Sequence, residues 1–149
     1  MITTTTHLNF RGTARAALEF YRSVFGGEIV LRTYGDLGMP ADAPDADHVV
    51  FGTVMAGNGF RVMAYDVPGA GADLAPVVDS TRRENGMTIT DATFFVSVRG
   101  ETFDEVQGFW DGLSVGAATI EPFAAAQWSS GFGMLTDRFG VTWVLDVAS

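Results

Sequence analysis

The sequence contains no cysteine and no lysine, and these two absences exclude several kinds of chemistry. Without cysteine there are no disulfides, no thiolate zinc sites and no cysteine nucleophiles. Without lysine there is neither a Schiff-base residue nor the lysine of a phosphate-binding loop. The remaining candidates for chemistry are the two histidines, the acidic residues and the aromatic side chains.

Excess positive charge and long hydrophobic runs are also missing. The chain has 18 acidic and nine basic residues, for a formal net charge of −9. Such a surface repels phosphates, so nucleic acid and anionic membranes are poor partners. No run approaches the roughly 18 apolar residues of a membrane span, and residues 1–6 lack the features of a secretory signal. We therefore expect a cytoplasmic protein that binds neither nucleic acid nor membrane.

Length and composition favour a single globular domain over residues 1–149. The chain has 149 residues, of which 47% are hydrophobic and 18% charged. This composition is typical of folded proteins, and the length suffices for one core but not for two independent ones.

The first part of the chain, residues 1–67, has the pattern of one helix and four strands. A strand is predicted over 2–11, and Thr13 is positioned to cap a helix that ends at Gly26 and Gly27. A loop rich in aspartate, proline and glycine follows at 35–47. The remaining predicted strands are 28–34, 48–55 and 60–67, the last two joined by an Asn58-Gly59 turn.

The second part repeats this order after a connector. Residues 68–90 are predicted to form the connector, with one helical turn near 77–83. In the second module, residues 91–149, a capping box of Thr102 and Glu105 begins a helix. The predicted strands are 92–98, 115–123, 132–136 and 141–147, with a tight turn at 137–140.

Each half thus has the order βαβββ, which indicates an α+β fold built from an internal repeat. Phe20-Tyr21 in the first helix corresponds to Phe109-Trp110 in the second. One such module leaves a sheet face bare, so the repeat predicts two curved half-barrel sheets around a cavity.

The sequence resembles the glyoxalase/bleomycin-resistance/extradiol-dioxygenase superfamily, also called vicinal oxygen chelate proteins, and most of all its PhnB-like branch. The resemblance rests on residues 8–12, 17–21 and 24–28, and on Trp128, 132–134 and 137–143 near the end. It implies two βαβββ modules with a ligand cavity on the concave side, and often a homodimer. The 3-demethylubiquinone-methyltransferase label of this branch is not adopted, because no glycine loop for a methyl donor follows a strand.

Metal ligands are the first chemistry that the resemblance implies, as His, Glu or Gln on the first and last strands of each module. His7 lies on the first predicted strand, but Thr93, Phe95 and Ser97 are the corresponding choices in the second module. The last strand offers only Asp146 as an acid, and Asp66 ends the last strand of the first module. We therefore expect no resident metal or other cofactor, with divalent-metal catalysis as an alternative.

The histidines are the candidate reactive groups. His7 is predicted to face the cavity, where it is a candidate ligand contact and general base. His48 opens the third predicted strand; it is a candidate ligand contact, and a partly solvated strand-start residue beside Asp47 is the alternative that we favour.

The aromatic residues are the more informative feature. Tyr65, Phe95, Trp128 and Phe132 lie on or next to strands predicted to face inward, where they would contact a flat, hydrophobic or cationic ligand. Trp143 is expected to pack structurally, because it belongs to the motif that specifies the fold.

These observations leave three functional hypotheses. The leading one is a PhnB-like protein, expected to be a homodimer, that binds an unknown small molecule in an aromatic-lined cavity without metal. The second is a drug-sequestering protein of the bleomycin-resistance type, in which the acidic surface would attract cationic drugs. The third is a divalent-metal-dependent lyase, isomerase or dioxygenase. Whether the protein is an enzyme is left open.

Overall fold

The computed structural model describes residues 1–69 and 80–149, which belong to two compact units, Met1–Pro76 and Val77–Ser149. The first unit contains β1 (Thr6–Phe10), α1 (Ala14–Phe25), β2 (Glu28–Thr33), β3 (Val49–Met55) and β4 (Arg61–Asp66). The second contains β5 (Thr81–Glu84), β6 (Met87–Thr90), β7 (Val96–Gly100), α2 (Phe103–Leu113), β8 (Ala118–Ala126), β9 (Ser129–Thr136) and β10 (Thr142–Val147). Neither α1 nor α2 has the length and hydrophobicity needed to cross a membrane.

The main sheets of the two units share one topology. Their strand orders are β1-β4-β3-β2 and β7-β10-β9-β8. β1 is parallel to β4 and β7 is parallel to β10, whereas the other neighbours are antiparallel. Each sheet is curved and open, and does not close into a barrel. The α+β class with two βαβββ modules is confirmed, while the cavity around which they were expected to curve stays a prediction.

Each main sheet has one face covered by its own helix. In the first unit, a Cβ added to Gly52 would collide with Leu18 of α1, so the side of β3 that carries Gly52 faces the helix. Its cross-strand partner Ala64, and Leu8 opposite Ala64, are buried on the same side. Gly133 of β9 faces Trp110 of α2 in the same way. We call the opposite side of each main sheet its open face.

The start of α1 is held by a residue that lies far away in the sequence. Thr13 is the N-cap residue, but its side chain makes no capping hydrogen bond, so this prediction was wrong. The backbone N–H groups of Gly12 and Ala14 instead donate to Asp66 Oδ1, at 2.8 and 3.0 Å. A buried carboxylate from β4 therefore caps the helix.

The Thr102 cap of α2 is confirmed, but the second bond of the predicted capping box goes to the residue before the cap. Thr102 Oγ1 accepts a hydrogen bond from the backbone N–H of Glu105 at 3.2 Å. Glu105 Oε2 in turn accepts the N–H of Glu101 at 3.0 Å. Two donors at the start of α2 are thereby satisfied by local residues, which is why the sequence could reveal this cap.

The predicted connector, residues 68–90, is wrong in one respect, because it includes the β5–β6 hairpin. Residues 77–79 of the predicted helical turn lie outside the described residues, and residues 81–83 are in a strand. The hairpin turn consists of Asn85 (φ 51°) and Gly86 (φ 75°). Positive φ at both central residues is typical of two-residue hairpin turns that match the twist of the strands.

Strand boundaries in the second unit differ from those predicted: β7 and β8 lie later, whereas β9 begins earlier, at Ser129. β7 begins at Val96 rather than at residue 92, because its pairing partner β10 runs from Trp143 opposite Val96 to Val147 opposite Gly100. Residues 91–92 instead bond to the hairpin segment, where Asp91 Oδ1 accepts the N–H of Ser80 at 2.7 Å. The structural role of Trp143 is confirmed: it is fully buried and its Nε1 donates to Asp137 Oδ2 at 2.9 Å.

Candidate functional site

The open face of the first unit carries His7 and Tyr65 side by side. Leu8 is buried against α1, so the neighbouring His7 and Asn9 point to the open face. The rings of His7 and Tyr65 are in an edge-to-face arrangement with centroids 5.3 Å apart. His7 Nδ1 lies 3.2 Å from Asn9 Oδ1, which orients the exposed imidazole. The structure therefore brings two of the predicted site residues together.

Sequence reasoning missed another tyrosine of the first unit, Tyr34, which lies directly after β2. Its hydroxyl donates to the backbone carbonyl of Asp66 at 2.7 Å. Burial raises the pKa of the Tyr34 phenol, and Tyr65 and the carboxylates of Asp66 and Asp45 raise it further. Tyr34 therefore stays a neutral donor well into the alkaline range. Its position at the end of β2 gave no local signal for this contact.

His48 has a carboxylate partner, Asp45, three residues earlier. His48 Nδ1 lies 3.1 Å from Asp45 Oδ1, and both side chains are partly solvated. A Cβ at Gly12 would lie 3.5 Å from His48 Nε2, so the ring rests against a backbone that has no side chain there. The partly solvated strand-start position agrees with the alternative favoured from the sequence, although the partner is Asp45 and not Asp47. Ligand contact by His48 stays a prediction.

The second unit brings Trp128 and Phe132 together. Trp128 lies in the turn between β8 and β9 and is 58% exposed. Its ring meets that of Phe132 edge to face, with centroids 5.4 Å apart. Phe132 is opposite Asp146, whose carboxylate receives three hydrogen bonds from Arg99, the shortest at 2.7 Å. This aromatic pair and this ion pair therefore share the open face of the second unit.

Phe95 does not lie within a strand, contrary to the prediction. It comes directly before β7 and is half-buried. Its role as a ligand contact stays a prediction.

Sequence reasoning missed the charged pair Arg83 and Glu121. Arg83 of β5 places its guanidinium carbon 5.3 Å from the centroid of the Phe132 ring. Arg83 Nε lies 3.7 Å from Glu121 Oε2 of β8. The signal that could have found Arg83 is Asn85-Gly86, which predicts a hairpin as clearly as Asn58-Gly59 does.

The residues present do not fit a resident divalent ion of the kind that the family implies. Among residues 1–69 and 80–149 no group of three or more histidines and acids is placed to hold a metal. Asp66 is committed to three backbone N–H groups, those of Gly12, Ala14 and Val49. Asp146 is committed to Arg99. The two acids that end the last strands are thus occupied by structural partners, and His7 is left without a neighbouring acid ligand.

Comparison with known proteins agrees with this fold. Over 144 residues the chain is 22% identical to protein YjdN of Escherichia coli (strain K12), covering 95% of this chain and 92% of YjdN. Protein PA1353 of Pseudomonas aeruginosa has a similar structure, with a TM-score of 0.76, 24% identity, and 99% and 98% of the two chains covered. The PhnB protein of Bacillus cereus superposes with a TM-score of 0.71 at 26% identity, covering 99% and 100% of the two chains.

The family description covers nearly the whole chain. The Glyoxalase/Bleomycin resistance protein/Dioxygenase superfamily matches residues 6–145, which include the main sheets and helices of both units. The resemblance stated from the sequence, including its PhnB-like character, is thereby confirmed. The chain belongs to the Glyoxalase/Bleomycin resistance protein/Dioxygenase superfamily.

Proposed function

We propose that the protein binds a small organic molecule against the open faces of its modules, without a resident metal. The observation that carries this proposal is the His7–Tyr65 pair, in which an exposed imidazole and a half-buried phenol lie on a sheet face rather than under a helix. The exposed Trp128 beside Phe132 gives the second unit a comparable surface. Aromatic rings with polar groups at their edges suit a flat, partly polar ligand.

His7 is the residue to which we assign ligand contact and, if a reaction is catalysed, general-base chemistry. Its Nδ1 is engaged with Asn9, so Nε2 is the ring atom left to meet a ligand. Imidazole both accepts and donates protons, which is the property that a general base needs. An activity that depends on His7 would disappear in His7→Ala while the fold is retained.

Ligand binding is tested by a screen of small aromatic molecules in the presence of EDTA, followed by calorimetry of the hits. His7→Ala is expected to weaken binding about tenfold or more, since it removes a polar contact and one ring of the pair. Glu19→Gln is the control, because Glu19 is exposed on α1. Equal affinities of His7→Ala and the wild type for every hit would contradict the assignment of His7. His48→Ala and Phe95→Ala in the same titration test the two remaining predicted contacts.

Metal independence is tested by elemental analysis of the purified protein and by thermal shifts with nickel, zinc, manganese and iron(II). Because Asp66 and Asp146 are engaged by other groups, we expect no stoichiometric metal and no ion-specific shift. A stoichiometric ion, or a large shift with one ion, would support the divalent-metal-dependent lyase, isomerase or dioxygenase instead.

Drug sequestration of the bleomycin-resistance type is a second candidate, favoured by the net charge of −9. A negative surface raises the local concentration of cationic molecules. The two candidates differ in the screen: a sequestering protein binds a cationic drug tightly and returns it unchanged, whereas the leading proposal does not require a positive charge on the ligand.

A further inference from the structure

Arg83 is a largely buried cation on the open face of the second unit. Its side chain is only 14% exposed. Nη1 donates to Thr88 Oγ1 across the hairpin at 2.9 Å, and the guanidinium lies over the ring of Phe132. Thr88 in turn contacts Met134 Sδ at 3.6 Å. The hairpin therefore fixes a guanidinium against Phe132, one ring of the aromatic pair that the proposed function uses.

The hydrogen bonding of this guanidinium is incomplete. Arg83 Nε is buried and has no hydrogen-bond partner among the described residues. Its nearest carboxylate oxygen, Glu121 Oε2, is 3.7 Å away, which exceeds the usual N–H···O distance of about 2.7–3.2 Å. A buried charged donor without an acceptor is costly, so an acceptor that reaches Nε would be bound favourably.

Glu121 marks the direction from which such an acceptor can approach. Its side chain is 41% exposed, so the carboxylate can turn toward solvent and vacate the space beside Nε. A free carboxylate in that space could close the hydrogen bond that Glu121 leaves open. Carboxylates and phosphates both match the planar fork of a guanidinium, and a carboxylate is the group that Glu121 already presents beside Nε.

The position of Arg83 also determines which charge a ligand should carry. A cationic ligand gains from the face of an aromatic ring, but at Phe132 that position is already taken by Arg83. A second cation there would meet like charge, whereas an anion would meet opposite charge in a partly desolvated environment. The electrostatics of this face therefore favour an anionic ligand, although the net charge of the chain is negative.

We propose that Arg83 binds the carboxylate of a small aromatic acid, which replaces the carboxylate of Glu121 beside Nε while the ring of the acid contacts Phe132 and Trp128. This inference rests on the proposed function, because it names the ligand class for the aromatic pair of the second unit. No covalent step is involved. Arg83 exchanges its ion pair with Glu121 for a closer ion pair with the ligand.

The experiment titrates benzoate, benzyl alcohol and benzylamine into the full chain with EDTA present and follows tryptophan fluorescence. Trp128 reports on the site because it is 58% exposed, whereas Trp110 and Trp143 are 9% and 0% exposed. Benzoate is expected to bind about tenfold or more tightly than the other two probes, since only benzoate pairs with the guanidinium. Trp128→Phe is expected to remove most of the signal, and calorimetry then confirms the affinities.

Three variants assign the effect to Arg83. Arg83→Gln is expected to weaken benzoate binding about tenfold or more and to leave benzyl alcohol binding within about twofold. Glu121→Ala is expected to tighten benzoate binding, because it removes the competing carboxylate. Arg82→Gln is the matched control, since it removes the same charge from the neighbouring position of β5, where the arginine is 52% exposed and pairs with Glu84. Circular dichroism checks the fold of each variant.

The outcomes separate this inference from the proposed function. If benzyl alcohol binds but benzoate binds no better, or if Arg83→Gln behaves like Arg82→Gln, the assignment of Arg83 is overturned and the aromatic site stands. If none of the three probes binds, both proposals fail for this face. Should Arg83→Gln not fold, Glu121→Ala decides alone: tighter benzoate binding supports the assignment, and unchanged or weaker binding overturns it.

Discussion

At the scale of single residues, Asp66 holds together three elements of the first unit, although it is only the last residue of a strand. Its side chain is 1% exposed, and its two oxygens accept the N–H groups of Gly12, Ala14 and Val49. These bonds join β4 to the start of α1 and to the start of β3. A carboxylate that the family resemblance offered as a candidate ligand is instead a structural cap.

Replacement of Asp66 by Asn should therefore destabilise the protein strongly. Asn turns an acceptor oxygen into a donor NH₂ group, which then faces backbone N–H groups that have lost their partner. We expect the free energy of unfolding to fall by about 3 kcal/mol, as measured by urea titration. Asp42→Asn, at an exposed loop position, is the control and should change little. A loss below about 1 kcal/mol for Asp66→Asn would contradict the capping role.

The raised pKa of Tyr34 predicts how the free energy of unfolding changes at alkaline pH. Its folded-state pKa is raised above the ordinary 10.0, chiefly by burial. A raised pKa means that the contribution of the neutral phenol is fully present below the unfolded pKa and is lost as pH rises through the folded pKa. Tyr34→Phe should thus cost about 1 kcal/mol at neutral pH, from the lost hydrogen bond to Asp66.

The difference in unfolding free energy between the wild type and Tyr34→Phe should shrink as the pH rises above 10.0, the ordinary pKa of the group. Urea titrations at pH values on both sides of 10.0 measure this difference. A difference that stays constant across the range would show that Tyr34 does not titrate as the geometry implies.

At the scale of elements, two glycines of the second unit have opposite roles. A Cβ at Gly133 of β9 would lie 2.7 Å from Trp110 Cζ3 and 2.9 Å from Phe123 Cα. A Cβ at Gly108 in α2 would meet nothing within 4 Å. Gly133 thus allows the helix to approach the sheet closely, whereas Gly108 only weakens the helix.

These two glycines should respond to alanine with opposite signs. Gly133→Ala should lower the unfolding free energy by about 1–3 kcal/mol, because the backbone of β8 is part of the obstacle. Gly108→Ala should raise it by about 0.5–1 kcal/mol through helix propensity alone. Thermal and urea unfolding of both variants provide the comparison, and a stabilising Gly133→Ala would contradict the close packing of α2 on its sheet.

The elements also show which parts of the fold can be predicted from sequence. Both helices and their apolar faces, the Thr102 cap of α2 and the Asn58-Gly59 turn were predictable, because each depends on residues within a few positions of one another. The cap of α1 was not, because its carboxylate comes from Asp66, far along the chain. The β5–β6 hairpin was missed although Asn85-Gly86 signalled it, because its strands are only four residues long.

The candidate site was less predictable than the fold for the same reason. The pairing of β1 with β4 places His7 next to Met63 and Asn9 next to Tyr65, and no local pattern encodes this register. Likewise, Arg83 reaches Phe132 only through the hairpin. Side-chain types indicated which residues to consider, but strand pairing decided which of them meet.

At the scale of the whole molecule, we propose that the protein is a homodimer, as the family resemblance implies. Val30, Phe51 and Met55 on β2 and β3 are 41%, 42% and 49% exposed, and all three lie on the open face of the first unit. Exposed apolar side chains on neighbouring strands are typical of surfaces that associate.

Light scattering coupled to gel filtration should therefore give the mass of two chains for the wild type. Phe51→Arg should shift the protein toward the mass of one chain, because it places a charge on the associating face. Leu37→Arg is the control: Leu37 is 70% exposed but lies in the loop after β2. A wild type with the mass of one chain would contradict the homodimer. If Phe51→Arg and Leu37→Arg both keep the mass of two chains, the open face of the first unit is not the interface.

The most direct measurement of the central claim is an NMR titration of the isotope-labelled protein with benzyl alcohol in the presence of EDTA. Metal-independent binding on the open faces predicts that shifts concentrate at His7, Tyr65, Trp128 and Phe132. Leu8 and Leu145, which are buried under the helices, should shift little. Shifts that are absent without a divalent ion, or that are as large at Leu8 and Leu145 as at the open-face residues, would contradict the account.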